Sequence, residues 1–149
     1  MDEQRLDDAI LFLSEAVYRS RERQAAIAPG AEPRGPADGG RCGLGEKAAV
    51  DLNLSARGRQ LFERLWPGGL EPSQLERVQT ALAAWIRRQD ALDRTRNHFL
   101  RDFRAAHGFD RSAYTAEQQS AYRRGLDDIN ARENDERRSF AARMMDAAR

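Results

Sequence analysis

The stretch from Ser73 to Ala106, SQLERVQTALAAWIRRQDALDRTRNHFLRDFRAA, decides the fold. Its core-type positions follow one another at alternating steps of three and four residues, which is the seven-residue repeat of a helix that lies along another helix. These positions are Leu75, Val78, Leu82, Trp85, Gln89, Leu92, Arg96, Phe99, Phe103 and Ala106. At a rise of about 1.5 Å per residue the apolar seam would be roughly 50 Å long, so it needs a partner helix.

The partner helix is predicted further along the chain, from Thr115 to Ala148. It carries apolar residues on the same spacing, with Met144 one place off it, at Tyr122, Leu126, Ile129, Phe140 and Ala147. Only residues 108–114 separate the two segments, and short connections join antiparallel neighbours. The sequence therefore predicts an all-α, helical-bundle-like protein. Its centre is a long antiparallel helical hairpin, about 73–106 and 115–148, with an N-terminal helix and a short helix packed on it.

Capping signals indicate where the two hairpin helices begin. Ser73 with Glu76, and Thr115 with Gln118, have the spacing of capping boxes. In a capping box the two side chains satisfy backbone N–H groups that the first turn of a helix leaves without partners. We therefore expect the hairpin helices to begin at these positions.

The residues of the turn predict how the first hairpin helix ends. Gly108 can adopt the left-handed backbone conformation that closes a helix. We interpret Phe109, the next residue, as an aromatic plug under the turn.

The chain before the hairpin divides by composition. Residues 1–27 are predicted to form an amphipathic helix that Asp2 caps, with an apolar stripe at Leu6, Ile10, Phe12, Leu13 and Val17. Residues 28–46 are rich in Gly and Pro and cannot bury enough apolar surface to offset their ordering entropy, so they are predicted to form a flexible linker. Residues 47–149 are predicted to form the hairpin domain, with a short helix from about residue 55 to residue 66.

The composition limits the classes of function. A chain of 149 residues fits one domain, and its net charge of +1 gives no global field that would draw it to nucleic acid or to a membrane. There is one cysteine, Cys42, which excludes an internal disulfide. The start of the chain is acidic and no long apolar run follows, so we expect a cytoplasmic protein without a membrane partner.

Polar residues interrupt the seam at one level. If the turn is centred near Asp110, Gln89 lies level with Glu133, and Glu136 lies one turn away. One interpretation is a hydrogen-bonded layer of Gln89, Glu133 and Glu136 that fixes the helix register. The alternative is a solvent-open middle where the two helices diverge. Arg96 is expected to lie on Tyr122 or Phe99 with its tip in solvent.

No residue pattern predicts catalysis or a cofactor. The two histidines, His98 and His107, lack the glutamate three residues earlier that ferritin-like metal sites use. The glycines near Gly43 do not form a nucleotide-binding motif, and no nucleophile motif is present. We predict no cofactor and no metal, with an enzyme assembled from scattered residues kept as an alternative.

A row of arginines suggests a second type of partner. Arg87, Arg94 and Arg101 recur every seven residues and would form a basic ridge along one face of the first hairpin helix. The ridge would either contact phosphates of nucleic acid or form ion pairs. The carboxylates available for such pairs are those of a partner chain or of Asp127, Asp128 and Asp135.

The large apolar residues exceed what a two-helix seam can bury. The predicted interaction surface consists of Leu13, Val17, Phe62, Trp66, Trp85, Ile86 and Leu100. Either the first helix folds back over this surface or another subunit covers it. We therefore predict a non-enzymatic helical protein–protein interaction module, such as an adaptor, assembly component or chaperone-like factor, that associates with itself. A nucleic-acid-binding regulator that uses the arginine ridge is the alternative.

Overall fold

The computed structural model describes residues 2–26 and 54–149, and this part of the chain is helical without a strand. The helices are α1 (Glu3–Ala26), α2 (Ala56–Leu65), α3 (Pro72–His107) and α4 (Ala116–Ala147), with one 3₁₀ turn at Arg111–Ala113 between α3 and α4. The predicted all-α class is confirmed. The predicted linker, residues 28–46, and Cys42 lie outside the described residues, so the domain division based on that linker stays a prediction.

Several predicted helix ends are confirmed by their hydrogen bonds. At the start of α4 the Gln118 backbone N–H donates to Thr115 Oγ1 at 3.1 Å, and the Thr115 N–H donates to Gln118 Oε1 at 3.0 Å. This is the reciprocal capping box that the sequence predicts. At the end of α3, Gly108 has a φ of 92° and donates its N–H to the Arg104 carbonyl at 2.7 Å. A side chain would be strained in that conformation, so glycine closes the helix there.

The predicted start of α3 is wrong by about two residues. The helix begins at Pro72, and the N–H of Glu71 donates to Gln74 Oε1 at 2.8 Å. Gln74 thus has the role that the sequence assigned to Glu76. Proline is well tolerated at the first position of a helix because its missing N–H would have no partner there.

The described residues form two compact units. Unit 1 contains α1, α2, the part of α3 up to Ile86 and the part of α4 from Arg137 onward. Unit 2 consists of Arg87–Glu136, that is, the remainder of α3 and α4 with the turn between them.

In unit 1, α1 packs on α2 through aromatic rings and ion pairs. The Phe12 ring lies 5.7 Å from the ring of Trp66, edge to face, and 6.3 Å from that of Phe62. Asp8, which is buried, pairs with Arg64 at 3.2 Å. A buried carboxylate is costly without a cation, so this pair favours one placement of α1.

The rest of the unit 1 core comes from the first half of α3 and the end of α4. Along α3 the seam is buried at Leu75, Val78, Leu82 and Trp85. The Trp85 ring lies 5.0 Å from that of Phe140, whereas Met144 is completely buried. In the sequence, Met144 lies one position off the seven-residue repeat of α4. Because Met144 is buried, the buried face of α4 is rotated from the predicted one toward this residue.

In unit 2 the two helical segments run antiparallel. Arg88 bonds to Glu136, and further along α3 the Phe99 ring lies 6.3 Å from that of Tyr122, so the numbers rise on one helix as they fall on the other. Leu92 is buried, but Phe99 is only half-buried. Among the described residues of this unit a single helix covers the seam, which explains the partial burial.

The aromatic plug under the turn is Tyr114, which corrects the prediction for Phe109. Phe109 is 83% exposed, whereas Tyr114 is buried. The Tyr114 hydroxyl donates to the Gly108 carbonyl at 2.6 Å, and its ring lies 5.4 Å from that of Phe103. A tyrosine suits this position because its ring is covered while its hydroxyl finds a backbone acceptor.

Candidate interaction surfaces

Most of the predicted interaction surface is buried within the chain itself. Five of its seven residues expose 7% of their surface or less, namely Leu13, Val17, Phe62, Trp66 and Trp85. All five belong to the core of unit 1, where α1 lies over α2. The sequence left open whether the first helix or another subunit covers these residues, and in the structure the chain's own helices cover these five. Ile86 and Leu100 are half-buried.

Among the described residues of unit 1, the exposed large apolar side chains lie on the opposite face of α1. Leu11 is 41% exposed and Tyr18 is 62% exposed. They are seven residues apart, so they lie on one face of the helix. We call this the outer face of α1; it consists of Gln4, Asp7, Leu11, Ser14, Tyr18 and Arg21. The sequence contained a signal for this face, because Leu11 and Tyr18 lie outside the predicted apolar stripe of α1. The stripe alone, however, does not show which apolar residues of the helix remain exposed.

The polar residues of the seam form a network in unit 2 whose centre is Arg96. The amide of Gln89, which is buried, donates to Asp93 Oδ1 at 3.2 Å. Arg96 donates to the same Asp93 oxygen at 3.0 Å, to Asn130 at 2.9 Å and to Glu133 Oε2. The predicted layer thus has two of its members, Gln89 and Glu133, in one connected network. Its role in fixing register stays a prediction.

Arg96 does not lie on an aromatic ring, contrary to the prediction. Its guanidinium reaches the carboxylates of Asp93 and Glu133. The cation over the Tyr122 ring is Arg111, at 4.8 Å from the ring centroid. A charge-assisted hydrogen bond is stronger than a contact between a cation and an exposed ring, which explains the preference of Arg96.

Glu136, the third residue of the predicted layer, forms a separate pair with Arg88. The Arg88 Nε donates to Glu136 Oε2 at 2.9 Å, and Arg88 Nη2 bonds to the other oxygen. The hydrogen bond with Arg88 is the main cause that lowers the pKa of Glu136, and the positive charges of Arg88 and Arg132 lower this pKa further. The same hydrogen bond raises the pKa of Arg88. Both groups are thereby held in their charged forms.

The arginine ridge lies on the exposed face of α3. Arg87, Arg94 and Arg101 are all exposed, and within residues 2–26 and 54–149 no ion pair or hydrogen bond engages their side chains. The arginines that pair with α4 are Arg88 and Arg96. The alternative in which the ridge pairs with carboxylates of α4 is therefore wrong for this structure.

Two open grooves lie outside these surfaces. One, of about 460 Å³, is in unit 1 and is lined mainly by apolar and small side chains of α3 and α4, including Ala81, Ala84 and Phe140. The other, of about 630 Å³, is in unit 2 beside the 3₁₀ turn, where Arg111 lies over Tyr122.

The histidines have local partners. His98 lies 3.2 Å from Asp102, one helical turn away, and both are exposed. The Nδ1 atom of His107 lies 3.1 Å from the Gln118 amide nitrogen, and the His107 ring packs at 4.5 Å from that of Phe103. Across the described part of the chain, no three His, Cys, Asp or Glu side chains are grouped as metal ligands would be.

These features define an all-α protein whose two compact units expose an apolar helix face and a basic ridge that has no ion pair within residues 2–26 and 54–149. Comparison with known protein families, with curated proteins and with solved structures finds no match. Among the helices that the structure describes, none has both the length and the apolar character that a membrane span requires.

Proposed function

We propose that this chain is a non-enzymatic helical protein–protein interaction module, of the adaptor, assembly or chaperone-like kind, and that the outer face of α1 is its contact surface. The observation that supports this is the exposure of Leu11 and Tyr18 on a helix whose opposite face is already packed. Exposed apolar residues scattered singly are ordinary, but two on one face form a patch. Tyrosine is enriched among the residues that contribute most to binding energy at protein interfaces.

The chemistry of the titratable groups is consistent with a binding role. Shifted pKa values often indicate catalytic groups, but the pKa shifts of Arg88, Glu136 and Asp110 arise from contacts that support the fold. The first two form the ion pair between α3 and α4. The pKa of Asp110 is lowered because its carboxylate accepts hydrogen bonds from the side chain and the backbone of Ser112, and Asp110 thereby caps the 3₁₀ turn. Each shift therefore has a structural cause.

The test is affinity capture with a variant of the outer face. The double variant Leu11→Glu, Tyr18→Glu adds two carboxylates to this face, whereas Ala121→Glu, Ala131→Glu adds the same charge at exposed positions of α4. We expect the wild-type chain and the Ala121/Ala131 variant to retain the same protein from the native cell, and the Leu11/Tyr18 variant to lose it. The retained protein is then purified and its affinity measured. Equal binding by all three chains would remove α1 as the contact surface.

Nucleic-acid binding is a second candidate function, supported by the arginine ridge. The three guanidinium groups of Arg87, Arg94 and Arg101 lack carboxylate partners among the described residues, and arginine forms two-bond contacts with phosphates. Side chains seven residues apart on a helix are about 10.5 Å apart, so the ridge presents three cations over about 20 Å. Such a ridge would recognise the phosphate backbone and would not discriminate between base sequences.

Salt-dependent binding of a fluorescent DNA duplex tests this second candidate. We expect that changing Arg87, Arg94 and Arg101 to Ala weakens binding and reduces the slope of log affinity against log salt by roughly 2.7, since each phosphate contact contributes about 0.9. The matched control changes Arg59, Arg123 and Arg138, which are also exposed, to Ala. An equal loss with the control would show that only net charge matters, and this would exclude the ridge as a specific surface.

A further inference from the structure

We draw no further inference here: the strongest candidate, the exposed apolar patch of Leu11 and Tyr18 on the outer face of α1, carries none because nothing within residues 2–26 and 54–149 shows what covers it.

Discussion

Gly125 lies within α4 at a point where Phe99 of α3 occupies the space that a side chain would need. A Cβ atom built on Gly125 would overlap the end of the Phe99 ring. That ring lies between Phe103, 5.8 Å away, and Tyr122, 6.3 Å away, so moving it disturbs an aromatic cluster. Glycine costs a helix roughly 1 kcal/mol relative to alanine, and here the close approach of the two helices offsets that cost.

Gly125→Ala is therefore expected to destabilise the protein although alanine favours helix. Overpacking costs about 1–3 kcal/mol and the gain in helix propensity is about 1 kcal/mol, so we expect a net loss of up to about 2 kcal/mol. In a Phe99→Ala background the overlap is absent, and the same substitution should instead stabilise by about 0.5–1 kcal/mol. Denaturant unfolding of the four chains measures both values. Stabilisation in the wild-type background would contradict the close approach.

The pair of Arg88 and Glu136 makes part of the stability dependent on pH. Because Arg88 lowers the pKa of Glu136 in the folded chain, the unfolded chain binds a proton at this carboxylate more readily. The stabilisation is present above the ordinary pKa of a glutamate and is lost as the pH falls through the lowered folded value. Glu136→Gln is therefore expected to be less stable than wild type at neutral pH, with a difference that shrinks below pH of about 4. A constant difference across the acid range would contradict this assignment.

The aromatic ring under the turn between α3 and α4 is an example of what the sequence alone does not determine about a single residue. Phe109 and Tyr114 both flank the turn, and nothing in their spacing distinguishes the covered ring from the exposed one. The tyrosine is selected by a tertiary feature, the Gly108 carbonyl that accepts its hydroxyl proton.

At the scale of the elements, we expect Arg96 to stabilise the contact between α3 and α4 in unit 2 more than the neighbouring Arg94 does. Arg96→Ala removes a cation that bonds to Asn130 and Glu133 across the helices. The Glu133 side chain is only 12% exposed, so we expect the loss to be about 1–3 kcal/mol. Arg94→Ala removes the same side chain two residues away on the exposed face and is expected to change stability by less than about 0.5 kcal/mol. Thermal unfolding compares them, and equal losses would contradict the network.

The elements themselves were largely predictable because their signals are local. The Thr115–Gln118 capping box, Gly108 and the seven-residue repeat each act within a few residues of the chain, so they hold without knowledge of the rest. The start of α3 was less predictable because the sequence allows two capping pairs. The predicted pair is Ser73 with Glu76, whereas the structure has Glu71 with Gln74, two residues earlier.

The candidate surfaces could be predicted less well because burial is a property of packing between elements. Phe62 and Trp66 are large and apolar whether they face a partner or α1. Only the placement of α1 shows that they are covered and that Leu11 and Tyr18 are exposed. The arginine ridge was predicted as a face from its spacing, but whether it pairs with carboxylates of α4 depends on where the acidic residues of that helix lie.

At the scale of the whole molecule, the charge and the two units limit how the chain can associate. Its net charge is +1, so it exerts only a weak long-range field on a binding partner, and local contacts would decide how the two associate. Because α1 belongs to unit 1, a partner bound to its outer face would stabilise the unit that contains α1 and α2. Binding of such a partner would therefore be linked to unfolding.

We expect the midpoint of thermal unfolding to rise when the purified protein that binds the outer face of α1 is added. A partner that binds only the folded chain adds about 2.7 kcal/mol when its concentration is one hundred times the dissociation constant, which corresponds to several degrees for a chain of this size. The shift should be absent in the Leu11→Glu, Tyr18→Glu variant and present in the Ala121→Glu, Ala131→Glu control. If calorimetry resolves two transitions, only the one that unfolds α1 should move, because unit 2 contains no part of the proposed contact. A midpoint of the wild-type chain that does not change when this protein is added would contradict the linkage.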